Sequence, residues 1–202
     1  MNYTALSLEQ TPPLAVPARY FLTAPLFAAA AALVLLVEGP GALANRWPPA
    51  ALVLTHLLTL GFVAMAMFGA VQQLLPVLAG SPIRRPLLVS RTLHALVTLG
   101  TLALAVGLWG GAAPWLHAAG LLLGLLVVGF VAAAGLALLR ARSGHATVRG
   151  MALSVTALAV TGILGLLLVG GHAAPGMRLF RELTDVHLAW GLAGWVGLMV
   201  IG

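Results

Sequence analysis

Thr55-His56-Leu57-Leu58-Thr59-Leu60-Gly61-Phe62-Val63-Ala64-Met65-Ala66-Met67-Phe68-Gly69 holds one ionisable side chain in fifteen residues. The apolar run around it, Ala50–Leu78, contains no Asp, Glu, Lys or Arg. A helix needs about 20 residues to cross the hydrocarbon core of a bilayer, so this run is long enough to span one. An imidazole inside such a span is costly and usually faces a bundle interior, where it binds a ligand or relays protons. Neutral imidazole is also the commonest protein ligand for metals.

The rest of the chain repeats the pattern. Hydrophobic residues make up 61% of the 202, and charged residues only 7%. Mean hydropathy is +1.09, more than a soluble domain of this length could bury. Residues 1–19, with Pro12, Pro13 and Pro17, read as an extended cytoplasmic tail. Residues 20–202 read as an all-α membrane bundle of six transmembrane helices. The six apolar segments are Tyr20–Val37, Ala50–Leu78, Leu87–Trp109, Trp115–Leu139, Met151–Val169 and Thr184–Gly202. Short connections such as Gly110–Pro114 make neighbouring helices antiparallel. The first segment lacks the short basic lead of a signal peptide. The sixth has no flanking loop or tail, which favours a chain that continues past Gly202.

No Cys is present, which excludes disulfides and thiolate chemistry. The net charge of +6 comes entirely from arginine. No basic stretch is interleaved with aromatics, so nucleic acid is excluded as a partner and the lipid bilayer is the expected one. The arginines orient the stack instead. Arg19, Arg84, Arg85, Arg91, Arg140, Arg142 and Arg149 fall on one side, and Arg46, Arg178 and Arg181 on the other. This split predicts a cytoplasmic N-terminus. Trp47, Trp109 and Trp115 fall on the opposite face, where an aromatic belt is expected.

With that orientation His56, His117 and His187 lie in the outer third of the membrane, and His94 in the inner third. Three imidazoles at one depth are positioned to converge on one ligand. In Trp115-Leu-His-Ala-Ala-Gly-Leu-Leu-Leu-Gly124, His117 shares a face with Gly120 and Gly124. His187 likewise shares a face with Gly191 and Gly194. Such faces permit close helix approach or leave room for a flat macrocycle. His56 and His117 are therefore candidate cofactor-binding residues, and His56 and His187 candidate metal ligands. His94 aligns with Thr98 and Thr101 and is expected to be interior, hydrogen-bonded to protein. His145 and His172 read as solvated loop residues.

Two further features stand out. Gly61-Phe-Val-Ala-Met-Ala-Met-Phe-Gly69 and Gly194-Trp-Val-Gly-Leu-Met-Val-Ile-Gly202 share a pattern, each after a histidine. Pro76 cannot donate to the carbonyl of Gln72 and should kink or end its helix, leaving the Gln72 and Gln73 amides to satisfy freed backbone groups.

The second segment, from Thr55-His56 to Gly69 and on through Leu-Leu-Pro-Val, resembles the second helix of the haem-copper oxidase subunit I superfamily, and most of all its NnrS-like and C-type oxidase-like members. Val186-His187-Leu-Ala-Trp-Gly-Leu-Ala-Gly-Trp195 resembles the sixth helix of that family. The resemblance covers the N-terminal half of a twelve-helix fold. It implies that His56 ligates haem, b-type, that His187 ligates copper, and that the chemistry is redox or concerns O2 or NO. It also implies a multi-pass protein of a bacterial-type plasma membrane, with a redox partner or further membrane subunits. No acidic residue and no tyrosine stand beside His187, and His94 and His117 have no counterpart in the pattern. The alternatives are a six-helix bis-histidine electron-transfer cytochrome, and a transporter or assembly subunit without cofactor.

Overall fold

The computed structural model describes residues 7–141, 146–172 and 179–202. Among them no strand occurs, and six helices are long and apolar enough to cross a membrane. These are α1 (Ala15–Glu38), α2 (Pro49–Ala79), α3 (Pro86–Gly110), α4 (Ala113–Leu139), α5 (Ala146–His172) and α6. The last runs Leu179–Ala189, continues as a π-helical stretch over Trp190–Gly197 and closes on Leu198–Ile201. A matching π-helical stretch, Leu57–Ala64, interrupts α2 directly after His56.

Consecutive helices pack against one another, as short antiparallel connections require. The α3–α4 connection is only Gly111 and Ala112 between the helix ends, and Gly111 adopts φ 61°, the left-handed cap that glycine accepts without strain. Helix α2 is central and touches α1, α3, α4 and α5, while α6 lies chiefly on α5. Phe68 of α2, Phe130 of α4 and Trp195 of α6 meet in one aromatic cluster, with ring centroids 4.7 to 5.8 Å apart.

Two faces follow from the connectivity. Residues 7–14 and the α2–α3 loop share the N-terminal face, where the Ser7 amide donates to the Val77 carbonyl at 3.0 Å. The α1–α2 loop and the start of α6 share the opposite, Trp47 face, where Arg46 pairs with Asp185.

A buried polar network joins α1, α2 and α3 toward the N-terminal face. The Tyr20 hydroxyl donates to the Ser90 carbonyl at 3.0 Å and accepts from Gln72 Nε2 at 2.9 Å. Ser90 Oγ donates to the Val16 carbonyl at 3.0 Å. In hydrocarbon no water replaces such partners, so the polar atoms must find one another.

The sequence boundaries need three corrections. Residues 1–19 are not all extended tail: Leu8–Gln10 forms a 3-10 turn and α1 begins at Ala15. Pro17 is no obstacle, since it sits in the first turn, where its missing N–H has no partner to lose. Pro76 does not end α2, which continues to Ala79 and stops at Gly80 in the left-handed region. His172 is the last residue of α5 and not a loop residue. His145 lies outside the described residues.

Candidate functional site

His56 stands seven residues into α2 and His187 eight residues into α6, both counted from the Trp47 face. At 1.5 Å rise per residue the two imidazoles lie about 10–12 Å below that face, at matched depth. Both are half-buried.

Their hydrogen bonds decide what they can do. His56 Nδ1 lies 2.8 Å from the Leu52 carbonyl, one turn back on its own helix. His187 Nδ1 lies 3.1 Å from the Thr161 carbonyl of α5. A carbonyl can only accept, so each Nδ1 carries the proton and each Nε2 carries the lone pair. This is the arrangement in which a second partner fixes a ligating histidine's tautomer and ring orientation. Neither Nε2 has a hydrogen-bond partner among the described residues.

His94 is fixed in the other sense. Thr23 Oγ1 donates to the Arg19 carbonyl at 2.8 Å, so it accepts at its 2.9 Å contact with His94 Nε2. The Nε2 proton is thereby engaged with protein. Tyr20 meets the same ring edge-on at 5.3 Å. His94 is hydrogen-bonded to protein, as expected, but it is half-buried and not fully interior.

His117 does not point into the bundle. It is exposed, only four residues from the start of α4, and makes no hydrogen bond among the described residues. The glycines assigned to its face pack instead on α5: Cβ atoms at Gly120 and Gly124 would lie 3.6 Å from Val169 and Leu166. The glycines near His187 also serve helix packing. Cβ atoms at Gly191 and Gly194 would lie 3.4 Å from Thr161 and 2.9 Å from Ala157. The first stripe brings α4 to α5 and the second brings α6 to α5, so both are filled by a neighbouring helix. The imidazoles do not converge in threes either. Among the described residues no group of three or more His, Cys, Asp or Glu is gathered to hold a metal ion.

Several features escaped the sequence. The Arg46–Asp185 pair clasps the α1–α2 loop to α6, with the Arg46 guanidinium 4.7 Å and the Arg181 guanidinium 5.6 Å from the Trp47 ring centre. Asp185 stands two residues before His187 but is committed to Arg46, and this clasp ties the top of α6 to the start of α2. The Trp195 indole N–H, two turns below His187, is buried and has no acceptor among the described residues. The π-helical stretches are the third feature, and single-turn π insertions are often found at functional sites. A signal for them was visible: each begins four residues before the first glycine of its repeat copy.

Imidazole nitrogen is a donor that suits haem iron, and the two lone-pair nitrogens stand at matched depth, one on α2 and one on α6, helices linked by the Phe68–Trp195 contact and the Arg46–Asp185 clasp. The enclosing walls are only partly present. A recess of about 140 Å³ on α6 is lined by Ala189, Trp190 and Gly194, with His187 outside its lining, and it is smaller than the roughly 300 Å³ that a drug-sized ligand occupies. A macrocycle here would lie against the open side of α6, whose Val186, Leu188, Trp190 and Leu192 are all exposed. Comparison of the chain with protein-family models, with curated proteins and with solved structures finds no match.

Proposed function

We propose that this membrane-spanning helical bundle is a haem protein resembling haem-copper oxidase subunit I, in which His56 would hold the haem iron and His187 would supply a second nitrogen donor to the same haem or to a copper. The observation that carries the reading is the pair of Nδ1-anchored imidazoles at matched depth, each presenting an unpartnered Nε2. When bound, haem would supply one-electron or diatomic-gas chemistry. The chain's own residues have simpler tasks. Leu52 and Thr161 hold the rings in the ligating tautomer, and the Arg46–Asp185 clasp keeps α6 beside α2. The aromatic cluster below excludes water and includes the buried Trp195 N–H.

Haem content tests the proposal. The intact protein, purified in detergent from haem-replete cells, should yield haem in stoichiometric amount, and His56→Ala should lose most of it. Haem-free protein, with the bundle intact, would refute the reading. A second reading has its own observation: the His187–Thr161 bond joins two helices, as a purely structural histidine would in a transporter or assembly subunit. On that reading no haem is found, and His187→Ala costs only about 0.6–2 kcal/mol of stability.

A further inference from the structure

Helix α5 carries a notch opposite His187. The Thr161 carbonyl that accepts from His187 Nδ1 lies inside a helix, where its regular partner is the Gly165 amide four residues on. A helical side chain lies over the turn that precedes it, so the residue four places on ordinarily covers such a carbonyl. Gly165 has no side chain to do so. A Cβ there would lie 3.2 Å from His187 Cε1 and 3.7 Å from Nδ1, so the imidazole rests against the bare backbone. The Thr161 hydroxyl is engaged elsewhere, since it donates to the Ala157 carbonyl of its own helix at 2.8 Å. The fit is reciprocal. Gly191, one turn after His187, receives the Thr161 methyl group, which would lie 3.4 Å from a Cβ at Gly191. Each helix therefore sets a side chain against a glycine of the other, one turn apart in both. This fixes the depth and the rotation of the ring together.

We infer that Gly165 is the positioning residue for His187: by leaving the Thr161 carbonyl uncovered it holds the proton on Nδ1 and the lone pair on Nε2. In a neutral imidazole the partner of one nitrogen decides the state of the other. With the carbonyl covered, Nδ1 loses its acceptor, and the proton is released to Nε2, the nitrogen that would ligate. The tautomer follows from the α5–α6 packing alone; its bearing on metal or haem rests on the function proposed above.

Nitrogen NMR of ring-labelled histidine, in the intact detergent-purified protein grown without haem supply, reads the tautomer directly. At about pH 8 an ordinary imidazole is neutral. The signals missing from His187→Gln identify His187. The wild type is expected to show a protonated Nδ1 and a bare Nε2. Gly165→Ala should admit a minority of the Nε2–H form, and Gly165→Val should make that form the majority. Gly170→Ala on the same helix is the control, because a Cβ there meets nothing within 4 Å, and it should leave the His187 signals unchanged. A glycine that served packing alone would alter stability without moving the proton. A bare Nδ1 in the wild type, wild-type signals in whichever Gly165 variant folds, or an equal change in Gly170→Ala would overturn the inference. The measurement needs no haem, so either proposal can fail without the other.

Discussion

At the scale of single residues, the roles of these histidines are set by which ring nitrogen each one spends on protein. His56 and His187 spend Nδ1 on carbonyls, whereas His94 spends Nε2 on Thr23. His117 spends neither on any described residue. His117→Ala should therefore leave fold and cofactor content unchanged, as read by haem assay and size-exclusion profile; a loss of haem would restore it to the site. Tyr20→Phe should behave differently. It removes the hydroxyl that serves both Ser90 and Gln72, and stability in detergent should fall by about 1–2 kcal/mol on SDS titration. An unchanged midpoint would mean that the network contributes nothing. The sequence made His94's setting legible, because threonines at helical spacing mark a polar stripe. It misled at His117, because neighbouring glycines report where a helix packs and an imidazole one turn away need not follow them.

At the scale of elements, helix existence and order were readable from apolar run length, and most segment cores fell inside the observed helices. The π-helical stretches were not readable as such. Their backbone hydrogen bonds reach one residue further than in an α-helix, so a 3.6-residue projection through them misplaces faces. The repeat pattern flagged both places without naming the cause. Close packing in α2 gives a test at this scale. A Cβ at Gly61 would sit 2.5 Å from the Phe27 ring, whereas one at Gly135 in α4 meets nothing within 4 Å. Gly61→Val should destabilise by about 1–3 kcal/mol through overpacking, with Gly135→Val close to neutral. Equal effects in SDS unfolding would show that α1 and α2 do not meet as described.

For the whole molecule, the alternation of faces was legible from arginine placement and short loops, and the packed bundle keeps the same alternation. The clasp of Arg46, Trp47 and Asp185 was not, since it pairs residues 139 positions apart. The absence of cysteine makes a topology test clean. Single cysteines at Asn45 and Gly111 should be labelled by a membrane-impermeant maleimide from outside intact cells, and one at Arg84 only after lysis. The inverse pattern would place the N-terminal face outside. The histidine pair would keep its geometry but would lie at the cytoplasmic side of the membrane.

The claim on which the account depends most is that His56 holds iron through Nε2. His56→Gly in the intact protein removes the donor and leaves a space the size of the lost ring. Imidazole in that space restores the wild-type spectrum only if an iron is there for it to ligate. The account predicts that wild-type protein shows a Soret band, that His56→Gly loses or shifts it, and that free imidazole restores the wild-type spectrum. A wild-type protein without a Soret band, or a His56→Gly spectrum identical to wild type, would contradict it.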